Sequence, residues 1–202
     1  MVPVWNCVAY YGARFFNRGR VHYDLSIWLD GKIPFLPWTV IIYFGCFAVW
    51  VINYILAAKQ DEEDAWRLFA ADFLARITCL AIFIILPTTM VRPAVEPGGI
   101  FRKAMLFLYA VDEPDNLFPS IHCMASWICF IAVRKNPNVP RWYKIFSFAV
   151  ALLVFMATLT TKQHITVDVI AGLLLAEGSY QFCKAARFGE VYRRMLTGRK
   201  HR

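Results

Sequence analysis

Two histidines, a carboxylate and two cations stand at the edges of apolar segments, in three short motifs. His164 and Asp168 are four residues apart, so on a helix they share one face. A carboxylate that accepts a hydrogen bond from one imidazole nitrogen fixes the tautomer and leaves the other nitrogen free to attack or to accept a proton. His122 belongs to Phe118-Pro119-Ser120-Ile121-His122. Pro119 suits the first turn of a helix, which puts Ser120 and His122 beside the free N–H groups and positive dipole end that favour an anion. Arg92, in Val91-Arg92-Pro93, can clamp phosphate oxygens with two parallel bonds, and Lys162, just before His164, adds a point charge. Two histidines facing an anion pocket suit phosphoryl transfer, one attacking phosphorus and the other protonating the leaving oxygen.

Apolar helices must position these groups. Of the 202 residues 59% are hydrophobic and 16% aromatic, and the mean hydropathy is +0.47. Such a chain cannot cover its apolar surface in water, so the expected solvent is a bilayer. The expected fold class is all-α, a polytopic transmembrane bundle of five or six spans in one domain over residues 1–202. Five segments read as spans: residues 38–57, 67–89, 119–133, 145–160 and 165–183. Residues 2–16 are apolar and aromatic but short and close to three arginines, so they read as an interfacial helix rather than a sixth span, within an interfacial or partly spanning segment 1–37. Residues 184–202 read as a basic cytoplasmic tail whose Arg187, Arg193, Arg194, Arg199, Lys200 and Arg202 rest on anionic lipid. Within the second span Asp72 and Arg76, four residues apart, are expected to form an internal ion pair.

With alternating spans, all three motifs fall on one membrane face. Lys59, Arg67, Arg134, Lys135, Arg141, Lys144 and the basic tail fall on the other, which the positive-inside rule makes cytoplasmic. The site is then extracytoplasmic. The net charge of +8 fits cytoplasmic loops and anionic headgroups better than nucleic acid. The six cysteines are scattered through apolar segments without a CxxC pair or a Cys/His cluster, so they read as small hydrophobes, and neither zinc nor a disulfide framework is indicated. No cleavable signal is recognised at the N-terminus, where Arg14, Arg18 and Arg20 follow a short apolar stretch.

Together the motifs resemble the type 2 phosphatidic acid phosphatase superfamily, which includes lipid phosphate phosphatases and vanadium haloperoxidases. Arg92-Pro93, Pro119-Ser120-Ile121-His122 and His164-Ile165-Thr166-Val167-Asp168 match its Arg-Pro, Pro-Ser-Gly-His and His-x-x-x-Asp motifs in order, over roughly residues 24–182. The resemblance implies His164 as the nucleophile of a phosphohistidine, Asp168 as its orienter, His122 as general acid, Arg92 and Ser120 as phosphate ligands, and no metal or cofactor. The chain departs from the pattern at four positions. Ile85 stands where the family has a lysine, Ile121 where it has a glycine, and Ala157 and Thr158 where it has a Ser-Arg pair. Lys162 is the cation left to supply part of the missing charge. The Thr-Lys-Gln-His-x-x-x-Asp run and the segment with Asp30 and Ile33-Pro34-Phe35 look more like the branch containing inositol phosphorylceramide synthases, which transfer a phosphoryl headgroup to an alcohol.

Three functions are consistent with these residues: a lipid phosphate phosphatase, a lipid phosphotransferase with an alcohol acceptor, and a non-catalytic bundle that binds or moves lipid headgroups. The expected partners are the bilayer and a membrane lipid phosphate or phospholipid, with no nucleic acid, and the expected setting is a bacterial inner membrane. Oligomeric state is not legible.

Overall fold

The computed structural model describes the backbone of residues 2–198 and, within that range, the side chains except those of residues 2–7, 9 and 11. Among the described residues the chain is nearly all helical: α1 (Val2–Asn17), α2 (Val40–Ala58), α3 (Glu62–Ile85), α4 (Ile100–Val111), α5 (Ile121–Arg134), α6 (Arg141–Thr160), α7 (Thr166–Ala185) and α8 (Phe188–Thr197). A 3-10 turn, Pro37–Thr39, leads into α2. A two-residue strand, β1 (Tyr23–Asp24), runs parallel to β2 (Thr88–Thr89) just past the end of α3.

Local chemistry starts the motif-bearing helices where they start. The side chain of Asp61 caps α3 by accepting from Asp64 N at 3.1 Å, and Glu62, Glu63 and Asp64 place negative charge on its positive end. Ser120 caps α5, its hydroxyl accepting from Cys123 N at 3.2 Å. At α7 the Asp168 carboxylate turns back to Ile165 N at 3.1 Å, while Asp30 takes Thr166 N at 2.7 Å and the Thr166 hydroxyl at 2.6 Å. A carboxylate more than a hundred residues upstream thus completes the cap, tying the chain before α2 to the turn that carries His164.

The central helix is α5, packed against α2, α3, α6 and α7. Small residues make that position possible: Cys123, Ala125, Ser126, Cys129 and Ala132 are all buried. Polar contacts fix its neighbours, with Trp50 Nε1 donating to Ser126 Oγ at 3.0 Å, and Arg134 meeting Glu177 through two bonds of 2.8 Å. Asp72 and Arg76 form the expected internal pair, at 2.9 and 3.0 Å, and Tyr54 donates to Asp72 at 2.7 Å.

Among the described residues three helices are long and apolar enough to cross a membrane: Pro37–Ala58, Glu62–Ile85 and Arg141–Thr160. They coincide with three of the five expected spans. The other two segments are helical but differ in kind. At 14 residues α5 reaches about 21 Å, short of a hydrocarbon core of about 30 Å. The 20 residues of α7 are long enough but include Asp168, Glu177 and Lys184. Both helices face protein on much of their surface, which relieves the need for lipophilic side chains all round.

The ends of the chain are more structured than the sequence implies. At the N-terminal side α1 lies along α3 in the same direction, and Asn17 Nδ2 bonds Phe83 O at 2.8 Å and Asn116 Oδ1 at 2.9 Å. The basic segment after α7 folds into α8 and returns onto α3, where the Tyr192 ring stacks on Phe73 with centroids 5.0 Å apart. Gly189 permits this approach, because a Cβ there would lie 2.8 Å from Arg67 N. Arg193 pairs with Glu62 at 3.0 Å. Arg199, Lys200 and Arg202 lie outside the described residues.

Candidate active site

The C-terminal ends of α3 and α6 and the N-terminal ends of α5 and α7 meet at one end of the bundle, and all three motifs gather there. The turn from α6 to α7 is held by Thr158 O, which accepts from both Gln163 N at 3.0 Å and His164 N at 3.1 Å. Lys162 takes a left-handed conformation, φ 54°, to make this turn. His164 then projects beside the first turn of α7, its Nδ1 3.3 Å from Asp168 Oδ2. Asp168 is fully buried and His164 is 8% exposed.

His122 faces His164 from α5, with ring centroids 6.0 Å apart. It stands in an aromatic enclosure, 4.4 Å from the ring of Tyr43, 5.8 Å from Trp50 and 6.0 Å from Phe47. Its Nδ1 lies 3.3 Å from the Tyr43 hydroxyl, which donates to Asp112 Oδ2 at 2.8 Å. Tyr10 donates to the other oxygen of Asp112 at 2.7 Å. Burial raises the Asp112 carboxyl, but the nearby His122 and the two tyrosine hydrogen bonds outweigh it and hold the group below its ordinary range.

Arg92 reaches the same junction from the segment after α3. Its guanidinium donates to Asp112 O at 2.5 Å and to Gln163 Oε1, and lies 4.6 Å above the Tyr109 ring. Burial pulls Arg92 below its usual value while Asp112 and Tyr109 oppose it, and a guanidinium keeps its charge regardless. Arg92 Nε and Gln163 Nε2 are buried donors without a protein acceptor among the described residues.

His164 lines two cavities. One, of about 270 Å³, is walled by Tyr43, Phe44, Phe47 and Trp50 and includes His122, Asp112 and Gln163. The other, of about 370 Å³, includes Asp30, Arg92 and Lys162. Four of the six predicted site residues therefore converge: His164, Asp168, His122 and Arg92. Lys162 lines the second cavity, but its Nζ is engaged by the carbonyls of Asp30 at 2.9 Å and Ile33 at 2.7 Å. Burial lowers its pKa, with Asp30 opposing. Ser120 lines neither cavity; it is fully buried, its hydroxyl caps α5 and its N–H donates to Asp168 O at 3.1 Å.

Sequence reasoning missed Tyr43, Asp112 and Gln163. Gln163 sits beside His164 and could have been taken from that adjacency. Asp112 lies in the polar run between α4 and α5, and α4 itself was not foreseen.

The close contact of α5 with α7 sets the spacing of the histidines. A Cβ on Gly172 would come within 2.6 Å of Ser120 O and 3.2 Å of Met124 N. Gly172→Ala must push the two helices apart, at about 1–3 kcal/mol of stability for overpacking. Because small misplacements of reacting groups are costly, turnover is expected to fall about tenfold or more as well. Thermal unfolding in detergent and kcat of the folded fraction check both, and wild-type stability would contradict the close approach.

The profile of the PAP2 superfamily matches residues 20–182, most of the sequence. The chain belongs to the PAP2 superfamily. No curated protein and no solved structure matches it. Membership and the apolar helices make it a membrane protein with an activity of phosphatase or phosphotransferase type.

Proposed function

We propose that this chain is an integral membrane lipid phosphate phosphatase acting through a phosphohistidine on His164, with its five central helices, α2, α3, α5, α6 and α7, crossing the bilayer. The observation that carries this reading is the pairing of His164 with Asp168 at 3.3 Å, with His122 facing it across a shared cavity at 6.0 Å. The Asp168 carboxylate holds the proton on Nδ1 of His164, leaving Nε2 to attack phosphorus. The bond from phosphorus to the lipid oxygen breaks, and His122 gives that oxygen a proton. Water then attacks the phosphohistidine, passing its proton to His122. Phosphate leaves and both histidines return to their starting states. Arg92 would hold the phosphoryl oxygens, and the unsatisfied donors Arg92 Nε and Gln163 Nε2 suit that role.

The basic residues support an extracytoplasmic site. Lys59, Lys135, Arg141, Lys144 and α8 lie at the end of the bundle away from the motifs, as expected of the cytoplasmic end.

A second reading is transfer of the phosphoryl headgroup to an alcohol acceptor. The aromatic cavity beside His122 favours it, since an apolar acceptor would bind there better than water. A panel of lipid phosphates and phospholipids in mixed micelles, assayed with and without added alcohols, separates the two. Release of inorganic phosphate from a lipid phosphate is the expected result. Acceptor-dependent headgroup exchange without phosphate release would replace hydrolysis with transfer, and no turnover of any lipid would remove both.

A further inference from the structure

The two facing histidines obtain their orientation differently. His164 has a carboxylate four residues ahead on its own helix, whereas residues 118–126 around His122 contain no acid at all. The groups that meet the inner nitrogen of His122 come from elsewhere: Tyr43 from α2 and, behind it, Asp112 from the end of α4.

We propose that Asp112, acting through the Tyr43 hydroxyl, is the positioning residue that fixes the tautomer and orientation of His122. The inference rests on the reading of His122 as the general acid and base of phosphoryl transfer.

Donor counting carries it. An ionised carboxylate only accepts, so at the two oxygens of Asp112 the hydroxyls of Tyr43 at 2.8 Å and Tyr10 at 2.7 Å are the donors. A phenol has one proton. With that proton committed to Asp112, the Tyr43 oxygen can only accept, and the group placed to donate is His122 Nδ1–H at 3.3 Å. Nε2 is then the nitrogen that carries or receives the mobile proton. The tilted ring of Tyr43, 4.4 Å from the imidazole, limits rotation, as do Phe47 and Trp50. Asp112 also stabilises the imidazolium that exists before proton donation, at one remove. Its main-chain oxygen accepts from Arg92 at 2.5 Å, so one residue steadies both the acid and the phosphate clamp.

A leaving group that needs no proton separates positioning of the acid from general damage. The full-length protein in detergent micelles is assayed with phosphatidic acid, whose alkoxide leaves poorly, and with para-nitrophenyl phosphate, whose phenolate leaves well. Tyr43→Phe removes one oxygen and keeps the ring; Asp112→Asn removes the charge. For both variants the single-turnover rate of leaving-group release, which reads the first step alone, is expected to fall about ten- to hundredfold with phosphatidic acid, part of what general acid catalysis supplies, and to change less than about threefold with the aryl ester. His122→Asn, measured alongside, must show the same discrimination more strongly. Equal losses on both substrates, or no loss, in Tyr43→Phe overturn the proposal while leaving His122 as the acid if His122→Asn still discriminates. Absence of discrimination in His122→Asn, or a wild-type protein that turns over neither substrate, overturns the underlying reading and the proposal with it. Should Asp112→Asn fail to fold, Tyr43→Phe decides alone.

Discussion

His164→Ala is expected to abolish phosphate release or transfer from every lipid tested, a loss on the order of 10⁴-fold or more, because no other group can take the nucleophile's place. His122, the other imidazole on the same cavity, has its ring centre 6.0 Å away and Nδ1 engaged by Tyr43. The variant should fold, since the backbone of residue 164 keeps its bond to Thr158 O and Asp168 keeps its bond from Ile165 N. Quenching the wild type during turnover of radiolabelled lipid phosphate should trap label on protein, in a form lost in acid and kept in base. His164→Ala should trap none. His122→Ala should still accumulate label from an aryl phosphate, because the first step with a good leaving group dispenses with the acid. Wild-type turnover in folded His164→Ala would end the nucleophile assignment.

Long-range contacts mark the limit of what the sequence discloses here. The three motifs were legible because each carries its chemistry within a few residues, and alternating apolar segments bring them to one end. Ser120 and Lys162 have partners that this logic does not show. A serine at a helix start and a lysine beside a histidine read as anion ligands; in the structure the Ser120 hydroxyl accepts the capping bond from Cys123 N, and the Lys162 ammonium donates to two carbonyls. Neither competing partner is visible in the motif itself. The Tyr43–Asp112–His122 chain was hidden for a related reason: Tyr43 and Asp112 are 69 residues apart, and a tyrosine in an apolar span reads as lipid-facing or core. The helix α4 went unassigned because its 12 residues, with Arg102 and Lys103, are too short and too polar for a span. The departures from the family pattern have physical positions too. Ile85, where the family lysine would be, is 76% exposed and faces outward, whereas Ile121 is 7% exposed and walls the aromatic cavity. The latter change makes the leaving-group side of the site more apolar than a glycine would.

Spacing alone cannot tell a catalytic pair from a structural one, and Asp72–Arg76 tests the difference. Both this pair and His164–Asp168 are four residues apart in sequence, and both have buried partners. His164, however, opens onto two cavities, whereas Asp72 and Arg76 line neither of them and lie among helices with Tyr54. Asp72→Ala removes the carboxylate that Arg76 meets through two bonds, leaving a buried charge uncompensated, and should cost about 3–5 kcal/mol. Replacing both residues, Asp72→Leu with Arg76→Met, removes charge and counter-charge together and should restore most of that stability, since a buried ion pair is worth little more than well-packed apolar groups of its size. If the pair is structural, the double variant should also keep kcat within about threefold of the wild type, because non-additive coupling between contacting residues would then be confined to stability. Thermal unfolding and lipid phosphate turnover of the two variants measure this. A double variant that is stable but inactive would mean that the pair serves the chemistry, and that the phosphoryl-transfer machinery extends from the cavity end into the middle of the bundle.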